Sequence, residues 1–179
     1  KIDLVHRRVA GMLRLSAGGM PQDIRITPDG SRFLVADMMA DGAFVIDGDR
    51  FVELGLIKTG IGAHGLYPSR DSTRMYVANR GSHHIHGKRR GPGSVSVIDC
   101  KILKVVAHWP IPGGGSPDMG NVSADGRTLW LSGRFDNVVY AIDTTSGKVR
   151  KIRVGVQPHG LAVWPQPGRY SLGHTGIMR

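Results

Sequence analysis

The sequence predicts an all-β fold assembled from repeated four-stranded antiparallel sheets, and three observations carry that expectation. Similarity recurs at a fixed offset of 42 residues: PQDIRITPDGSRFLVAD from Pro21 aligns without a gap on AHGLYPSRDSTRMYVAN from Ala63. Each repeat holds four short apolar runs divided by turn residues. No segment of about 10–12 residues combines helical periodicity with caps. Within the repeat, Asp29 meets Asp71, Arg32 meets Arg74, Val35-Ala36 meets Val77-Ala78, and Asp37 meets Asn79. PDMGNVSADGRTLWLSG from Pro117 and PHGLAVWPQPGRYSLG from Pro158 continue the series.

Taken in order through the second unit, strand one is expected over 65–67, strand two over 74–78, strand three over 94–98 and strand four over 103–108. Alternation supports strands, with Val95 and Val97 on the face opposite Ser96 and Ile98. The run Leu129-Trp130-Leu131 is too short for a helix. Strands one and two are joined by Asp29-Gly30 in one unit and Asp125-Gly126 in another, a strong hairpin signal. Asp71-Ser72 is a weaker version, and the last unit uses Gln166-Pro167-Gly168. The third runs end at Asp47, Asp99 and Asp143, each followed by a polar turn and a further apolar run. The opening GMLRLSAGGMP reads as a fourth strand retained from a preceding unit.

Four-stranded units at a period of roughly 40–45 residues are the mark of a β-propeller, in which each blade covers its faces against its neighbours. The expected division is the end of a preceding blade over 1–20, blades over 21–62, 63–116 and 117–157, and the first half of another over 158–179. The second of these carries an inserted loop over 80–93. The expectation is a partial ring from a larger propeller; the alternative joins the first and last partial units into a closed four-bladed ring. An open ring exposes an apolar blade face, which another segment or chain must cover.

Composition narrows the classes. Of 179 residues, 40% are hydrophobic and 21% charged, which supports a packed core and is unlike a disordered chain. One cysteine, Cys100, excludes an intramolecular disulfide and any Cys-rich metal site. No window approaches 18 apolar residues, so no transmembrane helix is expected. The formal charge of +10 favours anionic partners: nucleic acid, an acidic envelope polymer or a phospholipid surface.

The motifs resemble the YVTN-repeat, YncE-like β-propeller family of bacteria and archaea. Tyr76-Val77-Ala78-Asn79 spells the repeat motif, and PDGSRFLVAD, GSVSVID, TTSGKVRKIRVGVQPHGLAV and the pairs Ile46-Asp47, Ile98-Asp99 and Ile142-Asp143 surround it. Leu131-Ser132-Gly133 and Leu172-Gly173-His174 depart from it. The resemblance implies a propeller, typically seven-bladed and often exported to the periplasm or cell surface. Some relatives are similar to lactonases, others carry haem or quinone-enzyme domains, and DNA association also occurs. It carries over no catalytic set.

The first candidate site is a ring of equivalent positions: Gln22, His64, Asp118 and His159, each placed just before strand one. Strand one is the innermost of a blade, so these side chains are expected to converge on the central channel. His64, Asp118 and His159 there could hold a metal or move a proton; a polar channel mouth is the plainer expectation. The second is RGSHHIHGKRRGPG, where His83, His84 and His86 are candidate metal ligands and Lys88, Arg89 and Arg90 a candidate anion site. Its glycines predict a mobile, solvated loop. The run Gly113-Gly114-Gly115-Ser116-Pro117-Asp118 lacks the order of a phosphate-binding loop, and Ser132 has no nucleophile-elbow context. Asp47, Asp99 and Asp143 are expected to accept from turn amides, and Tyr76, Trp130 and Tyr170 to form a row between blades.

The functional expectation is therefore a non-enzymatic binding or scaffold propeller of the bacterial cell envelope, periplasmic or extracellular. Its partner would be a protein or an anionic envelope component, and no cofactor is expected. The alternatives are a metal-dependent, lactonase-like hydrolase using a divalent ion, and single-stranded nucleic-acid binding on the basic surface.

Overall fold

Residues 1–86 and 89–166 are described by the structure, a computed structural model. Local turn chemistry sets its strand order. In the first repeat the Thr27 hydroxyl donates to Asp29 (2.6 Å) and accepts from the Arg32 amide (3.0 Å), closing the turn around Gly30 at φ +75°. Ser69 with Asp71 and Ser123 with Asp125 repeat this arrangement. Such turns return each strand onto the last, so every unit becomes an antiparallel meander.

A short hairpin, β1 (Ile2–Asp3) and β2 (Arg8–Val9), opens the chain. Blade one follows as β3 (Pro21–Ile26), β4 (Arg32–Asp37), β5 (Gly42–Asp47) and β6 (Val52–Lys58). Blade two comprises β7 (Ala63–Pro68), β8 (Arg74–Asn79), β9 (Ser94–Asp99) and β10 (Lys104–Pro110). A 3-10 turn, Pro112–Gly114, leads to blade three: β11 (Pro117–Val122), β12 (Thr128–Gly133), β13 (Val138–Asp143) and β14 (Val149–Arg153). In all three four-stranded sheets the spatial order is the chain order. The all-β, four-stranded architecture is that of an open propeller, not a fully closed one.

Alternation places the core between blades. Leu34, Ala36, Ala43 and Val45 of blade one pack on Leu66, Met75, Val77 and Ile98 of blade two. The other face of blade two, with Tyr76, Ala78, Val95 and Val97, packs on Leu129, Leu131, Tyr140 and Ile142 of blade three. Each fully buried Leu or Ile contributes about 1.5–3 kcal/mol relative to exposure. Val95 and Val97 thus face away from Ile98, as the alternation predicts. Tyr76 lies between blades, its ring 5.7 Å from that of Trp109. Trp130 occupies the matching position on the outer face of blade three and is only partly buried. Tyr170 lies outside the described residues.

The opening segment differs from expectation. Residues 11–20 of GMLRLSAGGMP form no strand and its Pro21 already opens β3; β1 and β2 lie upstream of it instead. Leu13 and Leu15 still cover Phe44 and Ile46 on the outer face of blade one, so the apolar alternation is satisfied without ladder pairing. Gly18 at φ +83° and Gly19 at φ +127° explain the break. The Gly19 and Met20 amides donate to the Asp37 carboxylate, at 3.1 and 3.0 Å, rather than to a neighbouring strand.

Candidate functional site

The innermost strand of each blade begins with a register irregularity, and the candidate residues sit in it. Pairing passes from Pro21 to Asp23, from Ala63 to Gly65, and from Pro117 to Gly120. Gln22, His64 and Asp118 are therefore skipped by the ladder. They lie within strand one rather than before it, because β7, for example, begins at Ala63, two residues ahead of the expected start at 65. A bulge re-aims a side chain that regular pairing would hold in the pleat.

Of the four positions, two are brought together. Nδ1 of His64 lies 3.0 Å from Oδ1 of Asp118, and both residues are buried. Gln22 is exposed, its amide nitrogen donating to the Met20 carbonyl at 3.2 Å. His159 is also exposed, and residues 158–166 form no strand. Tyr67 supports the pair from below: its hydroxyl donates to the Asp118 carbonyl (3.0 Å) and accepts from the Gly120 amide (3.2 Å). Burial holds the Tyr67 phenol well above its ordinary pKa, so it acts as a neutral strut.

Arg80, one residue past β8, completes the cluster. It is 1% exposed, with Nε 3.7 Å from Oδ2 of Asp118 and its guanidinium 5.3 Å from the centre of the Phe135 ring. Nη1 reaches the Met38 sulfur at 3.7 Å. Burial pulls the Arg80 guanidinium below its ordinary pKa; the Asp118 carboxylate opposes this, and the charge of Arg134 adds to it. Nε and Nη2 of Arg80, both oxygens of Asp118 and Nε of Arg134 are buried without a hydrogen-bond partner. Sequence reasoning missed Arg80 and Arg134. The signal was present, since the same alignment puts Met38, Arg80 and Arg134 at one position after strand two.

The inserted loop is anchored rather than freely solvated. His83 is buried, with Nε2 2.6 Å from Oδ1 of Asp41 in blade one and Nδ1 3.0 Å from Nη1 of Arg90. Arg89 donates to the Gly114 carbonyl at 3.1 Å and pairs with Asp136 of blade three. His84 and His86 are exposed and point to no shared centre with His83, and Lys88 lies outside the described residues. Among the described residues, no group of three His, Cys, Asp or Glu side chains has metal-ligating proximity.

The remaining candidates resolve into architecture. Asp47, Asp99 and Asp143 each accept from two turn amides, those of residues 49 and 50, 101 and 102, and 145 and 146. Burial pushes the Cys100 thiol up to about 11. The Ser132 hydroxyl accepts from the Met119 amide at 3.1 Å. Among the described residues, no helix is long and apolar enough to cross a membrane.

Three interlocked meanders with polar side chains at their inner bulges define a β-propeller with an axial polar cluster. The chain belongs to the YNCE-like β-propeller family, whose model matches residues 2–167. Among solved structures it is similar to hydrazine synthase of Kuenenia stuttgartiensis, at 26% identity and a TM-score of 0.71 over 89% of this chain and 44% of that one. It is similar in fold to a catalytically inactive virginiamycin B lyase from Staphylococcus aureus with quinupristin, at 16% identity and a TM-score of 0.61 over 78% and 44%. A Bacteroides fragilis protein named as a candidate 6-phosphogluconolactonase gives 16% and 0.62 over 82% and 42%. The chain thus spans less than half the length of these structures. No curated protein matches it significantly.

Proposed function

We propose that the chain is a non-enzymatic binding or scaffold module of the bacterial cell envelope, which holds its partner at the inner ends of the blades. The observation that supports this is the cluster of His64, Arg80 and Asp118. Three blades converge on it, counting Met38, and it brings a buried guanidinium and a buried carboxylate to one place. A charge-bearing cluster at such depth is costly to bury, and nothing in the repeat architecture requires it. The turn aspartates, by contrast, are accounted for by their amides. An envelope location goes with this reading, as does a further segment or chain covering the outer face of blade three.

The hydrolase reading receives less support. It needs His64, Asp118 and His159 around one divalent ion, yet His159 is exposed while the first two are buried. Arg80 also places a fixed cation beside Asp118, which weakens the attraction of that carboxylate for a metal. Nucleic-acid binding rests on net charge alone, and Arg89 and Arg90 are engaged within the chain.

The test is hydrogen exchange of the full chain with and without an envelope extract, alongside metal content and turnover on a lactone panel. Protection of 63–68, 79–80 and 117–122 by the extract, with no turnover, is the expected result. Stoichiometric metal with turnover lost in His64→Ala would establish the hydrolase instead. Protection elsewhere, removed by added salt, would point to the basic surface.

A further inference from the structure

The geometry points to an oxyanion site at the inner ends of blades two and three, where a carboxylate or phosphate group of a small ligand sits against Arg80 and Arg134. The inference rests on the binding reading above and gives its ligand a chemical class.

The arrangement of donors carries it. Nε and Nη2 lie along the same edge of a guanidinium and form the fork that grips an oxyanion through two parallel hydrogen bonds. On Arg80 this fork is buried and has no acceptor. Asp118 is the nearest carboxylate, but at 3.7 Å its Oδ2 is beyond hydrogen-bond length. Phe135 supports the guanidinium from its face at 5.3 Å, which leaves the edge free to donate. Nε of Arg134 is a third buried donor without an acceptor, and among the described residues Arg134 makes no ion pair. Arg134 is partly exposed, so it supplies the approach to the buried fork.

Charge agrees with the donors. Two guanidinium groups and one carboxylate leave an excess of one positive charge, and the charge of Arg134 acts on Arg80 against that of Asp118. Like charges brought together in a desolvated place are stabilised by an anion between them. One competitor lies within the chain: a movement of under about 1 Å would let Asp118 take the fork itself.

Calorimetric titration of inorganic phosphate and of citrate into the full chain at low ionic strength tests this, using wild type, Arg134→Gln, Asp118→Asn and the exposed control Arg150→Gln. Saturable one-to-one binding of either anion is expected. Arg134→Gln, on a partly exposed residue and therefore tolerant of the change, should weaken it at least tenfold. Asp118→Asn removes the internal competitor and should tighten it severalfold, while Arg150→Gln leaves it unchanged. Phosphate binding alone or citrate binding alone would identify which oxyanion the fork takes. Absence of saturable binding, or equal losses in Arg134→Gln and Arg150→Gln, would overturn the site. If the envelope extract still protects 63–68 and 117–122 in that event, the binding reading stands and only the anion class falls.

Discussion

Nε2 of His83 lies 2.6 Å from Oδ1 of Asp41, binding the inserted loop of blade two to the strand turn of blade one. On its other side the same ring meets Arg90, which can only donate. Nδ1 is therefore the acceptor and Nε2 carries the proton given to Asp41. Asp41 also accepts from the Gly62 amide at 2.8 Å, so one carboxylate ties the blade turn, the linker and the loop. Together with Arg89 on Asp136, the loop straps blade two to both neighbours.

Removing the imidazole should release that strap. His83→Ala is expected to cost about 1–3 kcal/mol, the usual loss when a buried polar partner is left unsatisfied. Chemical denaturation measures the loss, and hydrogen exchange should quicken across 80–86 while β12 stays protected. Unchanged exchange in the loop would show that the His83 contact carries none of its order.

Ser72 holds φ +60° at the turn position where Gly30 and Gly126 sit at +75° and +76°. An L-residue is strained there by roughly 1–2 kcal/mol, partly offset by the greater flexibility of glycine in the unfolded chain. Ser72→Gly should therefore stabilise by about 0.5–1 kcal/mol, read as a raised denaturation midpoint. A lowered midpoint would mean that the serine side chain contributes more than its backbone strain removes.

The Asp29 carboxyl is held down at about 2, first by the Thr27 hydroxyl and then by that of Ser31. A depressed carboxyl adds stability that is complete above its ordinary value and is lost as pH falls through the folded one. Thr27→Val removes the leading donor, so the NMR titration of Asp29 should move up toward about 4. The part of the acid loss of stability that Asp29 contributes, between its ordinary value and about 2, should then shrink toward nothing. A midpoint still near 2 would leave the assignment to Thr27 untenable.

Cys100 should be nearly inert. With its thiol at about 11 through burial, roughly one molecule in a thousand is thiolate at pH 8. Labelling by a disulfide reagent is expected to be slow at neutral pH and to accelerate tenfold per pH unit toward 11. Rapid labelling at pH 7 would contradict the buried environment.

Much of this was legible in the chain. The offset of 42 fixed the meander, its turns and the alternation of Val95 against Ser96, because those depend on neighbours close in sequence. The segment GMLRLSAGGMP was misleading for a definite reason. Its leucine alternation reports which side chains are buried, not whether the backbone pairs, and Asp37 captured amides that a strand would have used. In the axial cluster, Gln22 and Asp118 share a repeat position yet one is exposed and the other wholly buried.

By itself, then, the order of residues determined a repeating antiparallel chain with polar groups returning to one place in each unit. Only the packing of blade on blade decided that His64 would meet Asp118, that Arg80 would lie between Met38 and Phe135, and that His83 would reach Asp41. Strand formation is governed by local periodicity and turn chemistry. Contacts between residues some 40 or 50 positions apart depend instead on how bulges aim side chains across the space between sheets.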